Sequence, residues 1–149
     1  MKKIAVGVIG TGFVGPAHIE AVNRSGLAEV KALAASSEQK AEEKASELGI
    51  DRAYGTYADL IQDPDIEVVH NCTPNNLHFP INKAILAAGK HVISEKPLAL
   101  DSREAKLLIG ATQRANVVHA VVYNYRHYPM VAHLRSMVQS GELGTIYAI

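Results

Sequence analysis

Residues 3–15 read KIAVGVIGTGFVG, and this stretch decides the fold. A short apolar, β-branched run ends in Gly-x-Gly-x-x-Gly, and apolar residues then recur at helical spacing as far as Val22. This order predicts a strand, a tight turn and a helix. In that setting Gly10 supplies the turn, Gly12 admits a pyrophosphate close to the backbone, and Gly15 lets the helix lie on the strand. The stretch therefore predicts a dinucleotide-binding loop, with a purely structural glycine turn as the alternative.

The first turn of this helix is also suited to bind an anion. Its N–H groups have no partner within the helix, so they can face a phosphate. Pro16 fits there, because a proline in the first turn forfeits no intrahelical hydrogen bond. We expect Thr11, Phe13 and Val14, which lie between the glycines, to contact the same ligand.

Composition limits the classes of protein to which the chain can belong. Its 149 residues are 48% hydrophobic and 20% charged, as in one soluble globular domain. Fifteen basic residues balance fifteen acidic ones, so no cationic surplus favours nucleic acid or an anionic membrane. No apolar run approaches the roughly 20 residues that a membrane helix needs. A single cysteine, Cys72, excludes an internal disulfide, and we expect a cytoplasmic protein.

Strand and helix patterns alternate along the rest of the chain. This alternation predicts an α/β fold of Rossmann type, with a doubly wound, mainly parallel sheet covered on both faces. We assign residues 1–127 to a dinucleotide-binding domain and residues 128–149 to a connecting helix and the first strand of another domain. The predicted later strands are 29–35, 52–54, 66–72, 91–94, 117–123 and 145–149, and the predicted later helices are 38–48, 56–61, 78–88, 101–115 and 128–140.

Ligands of such sheets bind outside the carboxyl ends of the strands, near the point where strand order reverses. Polar residues that are unusual in simple connectors follow five of the predicted strands. Because these loops should meet at one edge of the sheet, their convergence is stronger support for a binding site than any single motif. The five loops are 10–15, 35–37, 73–78, 95–97 and 124–127.

The tripeptide EKP at residues 95–97 follows CTPNNLH at 72–78 and AGKHV at 88–92. Together with NYR at 124–126 and GELG at 141–144, these motifs resemble the Gfo/Idh/MocA oxidoreductases over essentially the whole chain. The resemblance implies a two-domain NAD(P)-dependent enzyme. Such an enzyme transfers a hydride between the nicotinamide and a carbinol of a sugar, inositol or related compound, and it assembles as a dimer or tetramer.

The resemblance also implies a second domain, an α+β open sheet with substrate and oligomer contacts. It would follow from about Thr145, so this sequence lacks it. We therefore expect the 149-residue chain alone to bind a dinucleotide but to be catalytically inactive. A non-catalytic nucleotide-sensing or interaction protein on the same fold remains the alternative, whereas a methyltransferase is disfavoured by the EKP loop and the spacing of the three glycines.

Lys96 is the predicted catalytic residue. It lies between Glu95 and Pro97 after an apolar strand, near the expected nicotinamide. A cationic ring and partial burial both disfavour an ammonium group, which suits proton transfer. The resemblance assigns Lys96 to substrate orientation and proton transfer, with Asp and His partners in the second domain. A surface lysine that merely follows a strand is the alternative.

The remaining candidate ligands follow from the loops and from the resemblance. Thr73 and Asn76 can donate hydrogen bonds, Pro74 offers an apolar face, and His78 at a helix start can reach a ribose or phosphate. An ordinary turn and helix cap is the alternative for Asn76. The resemblance places Asn124 beside the nicotinamide and Arg126 near the substrate cleft. The predicted cofactor contacts in these loops are Cys72, Thr73, Pro74, Asn76, His78, Glu95, Lys96 and Asn124.

The cysteine and the histidines are predicted to have few chemical roles. Cys72 reads as a small buried hydrophobe, because no basic partner adjoins it in sequence. His18 faces either the cofactor or the core, and His70 and His119 lie in apolar strands. The histidines have no reliable metal-ligand spacing, so no metal site is predicted.

Residue 35 indicates which dinucleotide is preferred. A carboxylate is expected about 20 residues beyond the glycines, where it binds the ribose 2′-hydroxyl of NAD. Residue 35 is Ala instead. Ser36, Ser37 and Lys40 supply hydroxyl, backbone and ammonium groups for a 2′-phosphate. The sequence therefore predicts NADP as the preferred cofactor and NAD as the alternative.

Overall fold

The computed structural model describes residues 2–148, and its centre is one six-stranded sheet with helices on both faces. A 3₁₀ turn, Asn124–His127, separates the last strand from the last helix. The strands are β1 (Ile4–Ile9), β2 (Ala28–Ala34), β3 (Arg52–Tyr54), β4 (Val68–Asn71), β5 (His91–Glu95) and β6 (His119–Val122). The helices are α1 (Gly15–Arg24), α2 (Glu38–Leu48), α3 (Tyr57–Gln62), α4 (Asn75–Ala87), α5 (Ser102–Ala115) and α6 (Pro129–Ser140).

The sheet confirms the predicted doubly wound architecture. Its strand order is β3-β2-β1-β4-β5-β6, and every neighbouring pair is parallel. Strand order reverses between β1 and β4, which is where ligands of this fold bind. The register aligns the strand ends, since Ile9 pairs with Ala34 and Asn71, and Asn71 pairs with Ser94. The loops after these four strands therefore begin level with one another at one edge.

Two apolar layers hold the helices against the sheet. In β1, Val6 and Val8 pack with the buried residues of α1 and α2, whereas Ile9 packs in the layer that contains residues of α3, α4 and α5. Successive strand side chains point to opposite faces, so a strand covered on both sides is apolar at almost every position. This explains why residues 5–9 are all buried.

Helix α4 begins at Asn75, three residues before the predicted start. The carbonyl of Pro74 accepts a hydrogen bond from the Leu77 N–H at 2.8 Å, and Pro74 stands at the N-cap position. Pro80, which suggested the first turn in the sequence, therefore lies inside the helix. The earlier start also turns His78 towards the core.

Helix α5 begins with two hydrogen bonds from backbone N–H groups to acidic side chains. Asp101 Oδ1 accepts from the Glu104 N–H at 2.8 Å, as expected for a cap. Glu104, however, accepts through Oε2 from the Leu100 N–H at 3.1 Å, one residue before the cap.

The predicted final strand is not observed. Residues 145–148 are in neither a strand nor a helix, and Ile149 lies outside the described residues. A strand needs a hydrogen-bonding partner, and the sheet ends at β6. The preceding helix, α6, exposes Met130, Leu134 and Val138. Among residues 2–148, no helix combines the length and apolar character needed to cross a bilayer.

Candidate functional site

A cleft of about 580 Å³ lies at the carboxyl ends of β1, β2 and β4. It therefore occupies the edge at which the sequence predicts a ligand. Three loops form most of its wall, namely the glycine loop, the loop after β2 and the loop after β4. The lining residues are Ile9, Gly10, Thr11, Gly12, Phe13, Val14, Ala34, Ala35, Ser36, Lys40, Tyr57, Cys72, Thr73, Pro74, Leu77 and Ile81.

The three glycines of the loop meet different surroundings. Gly10 has φ +92°, and a Cβ there would lie 2.7 Å from the Cys72 carbonyl oxygen. A Cβ on Gly15 would overlap the carbonyl oxygen of Gly10. A Cβ on Gly12, by contrast, would meet no atom within 4 Å. The loop is thus tightly packed underneath and open on the side that faces the cleft.

The cleft brings together many of the predicted cofactor residues. Ser36 and Lys40 line it from the loop after β2, and Phe13 is fully exposed beside it. The predicted contacts that do not line it lie in or beyond the surrounding loops. These are Gly15, Ser37, Asn76, His78, Glu95, Lys96 and Asn124.

Arg126 lies apart from this cleft. It contributes to a separate groove of about 450 Å³, whose other lining residues all belong to α6. Asn124 is exposed, and its Oδ1 accepts a hydrogen bond from the Tyr125 N–H at 3.0 Å. Asn124, predicted beside the nicotinamide, and Arg126, predicted near the substrate cleft, are therefore both exposed.

Five residues of the cleft wall were not predicted from the sequence, namely Ile9, Ala34, Tyr57, Leu77 and Ile81. Tyr57 is 40% exposed and is the first residue of α3, directly after the cap Thr56. An aromatic residue at the start of a helix, just beyond a strand of the same sheet, was the available signal. No comparable signal marked Leu77, because its position depends on the early start of α4.

His78 does not occupy the ligand-facing position predicted for it. Only 1% of the surface of His78 is exposed. Its Nδ1 lies 2.6 Å from the Pro97 carbonyl oxygen, and its Nε2 lies 2.8 Å from the Thr73 carbonyl oxygen. Both ring nitrogens therefore contact backbone carbonyls. His78 therefore ties the loop after β4 to the loop after β5.

A second buried polar network supports the same two loops. Asn71 donates through Nδ2 to Asn82 Oδ1 at 2.8 Å, and Asn82 donates through Nδ2 to Ser94 Oγ at 2.9 Å. The Thr73 hydroxyl donates to Asn71 Oδ1 at 2.7 Å, so its proton is engaged within the protein. Because each buried polar group has a partner, the network is stabilising and fixes the two loops relative to each other.

Lys96 lies at the carboxyl end of β5, as predicted, but it is exposed to solvent. The partial burial expected from sequence is therefore absent among the described residues. Its backbone N–H donates to Glu95 Oε2 at 3.1 Å, and its peptide bond to Pro97 is cis. Glu95 is buried, with 9% of the residue exposed.

Glu95 belongs to a group of three titratable side chains, of which His70 and Glu95 are buried and His18 is partly buried. Its Oε1 lies 3.1 Å from His18 Nε2, and His18 Nδ1 lies 2.9 Å from His70 Nδ1. Burial, and after it the neighbouring His18 charge, lowers the pKa of His70 to about 4. His70 is therefore neutral at pH 7. His18 thus packs against the core side of the site, which was one of its two predicted positions.

The thiol of Cys72 is not a nucleophile. Cys72 is 6% exposed, and burial, with the charge of Glu95 as a smaller cause, raises its pKa to about 12. The thiol stays protonated at neutral pH. This agrees with the interpretation of Cys72 as a small buried hydrophobe. Within residues 2–148, no group of three or more His, Cys, Asp or Glu side chains is arranged to hold a metal ion.

Acid should destabilise the chain through His70. The unfolded state binds this proton near pH 6.5 and the folded state near pH 4, so stability falls as the pH drops through this window. Between pH 7 and pH 4.5 the loss should be about 2 to 3 kcal/mol of unfolding free energy. Urea unfolding at both pH values measures this loss of unfolding free energy. In His70→Gln the loss between the two pH values should be smaller by about 2 to 3 kcal/mol. Equal acid sensitivity of both proteins would contradict the assignment.

Comparison with known proteins gives one family match. A family model described as "Oxidoreductase family, NAD-binding Rossmann fold" (GFO_IDH_MocA) matches residues 4–123. The match includes β1 to β6 and therefore all the loops that surround the cleft.

Three relatives illustrate the similarity. Levoglucosan dehydrogenase from Pseudarthrobacter phenanthrenivorans is 38% identical over 98% of this chain and 40% of its own length. Myo-inositol 2-dehydrogenase from Thermotoga maritima is 32% identical over 93% of this chain and 42% of its own length. The solved structure of levoglucosan dehydrogenase in complex with NADH and levoglucosan has a TM-score of 0.89 and 37% identity, covering 97% of this chain and 41% of that one. The chain thus spans about 40% of the length of these curated relatives.

Proposed function

Because the chain belongs to the Gfo/Idh/MocA oxidoreductase family, we propose that it is the dinucleotide-binding domain of an enzyme that transfers a hydride between NAD(P) and a carbinol. The carbinol belongs to a sugar, an inositol or a related compound, the class of substrate named for the relatives. When bound, the nicotinamide supplies the hydride chemistry. The residues of this chain bind the dinucleotide and orient the reacting groups.

One observation carries the proposal, namely the open position at Gly12. The glycine loop packs against the Cys72 carbonyl at Gly10, yet it leaves free space above Gly12, where the cleft begins. A loop that served only as a turn would have no need of a bare backbone facing an empty cleft. The start of α1 lies beside it and offers unpaired N–H groups to a pyrophosphate.

Calorimetric titration of the 149-residue chain tests the proposal. NADPH and NADH should bind at one site, and S-adenosylmethionine should not. A hydride-transfer assay with a panel of sugars and inositols should give no turnover by this chain alone, because the groups that hold the carbinol are proposed to lie in a further domain. Absence of binding by both dinucleotides would refute the proposal. Binding by a longer, catalytically inert protein would favour a nucleotide sensor.

We further propose that the preferred dinucleotide is NADP. Ala35 leaves no carboxylate at the end of β2, and Lys40 Nζ lies 3.4 Å from Ser36 Oγ on the cleft wall. A 2′-phosphate placed there would find an ammonium and a hydroxyl group. The acidic residue nearest in sequence, Glu38, is engaged elsewhere, since its Oε2 accepts from the Gly55 N–H at 3.1 Å.

Ala35→Asp should shift cofactor preference towards NADH. The new carboxylate repels a 2′-phosphate and binds a ribose hydroxyl, so the ratio of NADPH to NADH affinity should fall about 10-fold or more. Titration of both dinucleotides measures this ratio. Lys40→Met should weaken NADPH alone, whereas Lys44→Met, one turn further along α2 and paired with Glu47, is the matched control. Tighter binding of NADH than NADPH by the unmodified chain would overturn the preference.

Residues 128–148 support a proposed connection to a further domain. Helix α6 is exposed along its length, and Tyr123, Tyr125 and Tyr128 expose large apolar areas beside it. An apolar surface of this kind is commonly covered by another domain or subunit. We place the substrate-binding domain and the subunit contacts of a homo-oligomer beyond this segment, and Arg126 at the edge of the substrate cleft.

Lys96 is the proposed catalytic group of this chain. Its ammonium can orient a hydroxyl by donating a hydrogen bond, and its Nζ can hold or release the proton of that hydroxyl. The exposure of Lys96 is compatible with this role, because the substrate must reach it.

A further inference from the structure

Three polar side chains from three separate elements meet beneath Lys96. They are His18 of α1, His70 of β4 and Glu95 of β5. The side chains of His18 and Glu95 are each 11% exposed, and the His70 residue is 7% exposed. Burying such groups costs free energy unless each finds a partner. Their mutual contacts supply those partners.

The carboxylate of Glu95 is held through both oxygens. Oε1 contacts His18 Nε2 at 3.1 Å, and Oε2 accepts the Lys96 backbone N–H at 3.1 Å. A carboxylate bound on both sides has little freedom to rotate. Its second oxygen therefore fixes the Lys96 amide at the end of β5.

His70 fixes the orientation of the His18 ring. The two Nδ1 atoms are 2.9 Å apart, and the rings meet edge to face at 88°. Only one of these two nitrogens can carry the shared proton. The contact therefore selects the ring orientation in which His18 Nε2 points at Glu95.

We propose that His18, held by His70, is a positioning residue that fixes the Glu95 carboxylate and thereby the backbone of Lys96. The side chain of Lys96 leaves from that fixed amide, so its direction towards a substrate depends on the three buried groups. This inference rests on the proposed function only in the role given to Lys96. Its geometric part can be tested in the 149-residue chain without any ligand.

Two substitutions at His18 separate its two contacts. The amide of glutamine reaches about as far as Nε2, so His18→Gln keeps a donor for Glu95 and gives up the contact with His70. The shorter asparagine replaces Nδ1, so His18→Asn keeps the contact with His70 and leaves Glu95 without its donor. Both variants remove the same imidazole, so a difference between them reports the Glu95 contact.

Hydrogen exchange of the Lys96 amide, followed by NMR, is the direct measurement. His18→Asn should reduce its protection about 10-fold or more, because a hydrogen bond to a charged group is lost or loosened. His18→Gln should keep protection within about threefold of the unmodified chain. The amides of Val8 and Val69, in buried strands, report any general loss of stability. A wild-type measurement serves even where a variant fails to fold, since the Lys96 amide of the unmodified chain should already be protected by its hydrogen bond to Glu95 Oε2.

Unchanged Lys96 protection in His18→Asn, or an unprotected Lys96 amide in the unmodified chain, would overturn the inference. In the longer protein, His18→Asn should lower kcat about 10-fold with the KM for dinucleotide within about twofold, and His18→Gln should restore kcat. If the amide responds but Lys96 proves dispensable for turnover, the proposed function fails while the positioning geometry stands. If the amide does not respond, the positioning fails whatever the enzyme does.

Discussion

Replacing Lys96 by methionine should lower kcat of the enzyme proposed to contain this domain by about 10³-fold. The change removes the group proposed to hold the hydroxyl and its proton, while the exposed position of Lys96 allows a side chain of similar length without repacking. Dinucleotide affinity should stay within about threefold, because Lys96 does not line the cleft of the glycine loop. Steady-state kinetics and calorimetric titration measure the two quantities on the same protein.

Two further variants show whether Lys96 acts by charge or by proton transfer. Lys96→Arg keeps a cation but not a proton that can be released, so it should be nearly as inactive as methionine if proton transfer matters. Lys106→Met removes an exposed lysine of α5 and should behave as the unmodified enzyme. Near-normal kcat in Lys96→Met would refute the catalytic assignment.

The fold was predictable because its main signals are local. An apolar run, three glycines and a helical periodicity appear within twenty residues, and four of the later strands are followed by a polar loop. The strand order follows from this pattern only together with the known preference of such sheets. The prediction of a final strand failed because the apolar pattern at 145–149 cannot show whether a neighbouring strand is present to pair with it.

The internal support of the site was harder to predict. His78 reads as a helix-start residue, yet α4 begins three positions earlier and turns the ring into the core. The earlier start makes His78 the fourth residue of α4, so its side chain belongs to the body of the helix and not to its exposed end. Its two carbonyl partners, Thr73 and Pro97, lie on different loops, and no spacing in the sequence relates them.

The contact between His18, His70 and Glu95 shows the same limit. His70 lies 52 positions and Glu95 lies 77 positions from His18 along the chain. They meet because β4 lies between β1 and β5, and α1 begins above that part of the sheet. Composition and periodicity indicate buried strands there, but the pairing of polar side chains across elements requires the register. A single sequence does not contain that information in a local pattern.

The two glycines Gly12 and Gly15 should fail in opposite ways when changed to alanine. A Cβ on Gly12 meets nothing within 4 Å, so Gly12→Ala should fold normally, with a Tm within about 3 °C of the unmodified chain. The methyl group would occupy the space over the backbone where a pyrophosphate must approach. Dinucleotide affinity should therefore fall about 100-fold or more, equivalent to about 3 kcal/mol.

Gly15→Ala should instead damage the fold. Its Cβ would overlap the backbone carbonyl of Gly10, which cannot move aside as a flexible side chain can. The cost should be about 3 kcal/mol of unfolding free energy, at the upper end of the usual range for overpacking. Thermal unfolding and NADPH titration of both variants give the two readouts. Gly110→Ala in α5, where a Cβ meets only the flexible Arg114 guanidinium at 3.2 Å, should leave NADPH affinity unchanged and should not lower the Tm, because alanine favours a helix more than glycine does.

The two variants distinguish a binding loop from a structural turn, because the two hypotheses predict different combinations of stability and NADPH affinity. If the three glycines formed only a turn, Gly12→Ala would leave every measured property unchanged and Gly15→Ala would lower stability alone. If the loop binds the pyrophosphate, the variant with normal stability is the one that loses the ligand. Normal NADPH affinity in Gly12→Ala would therefore contradict the proposed placement of the dinucleotide, even if the chain binds it elsewhere.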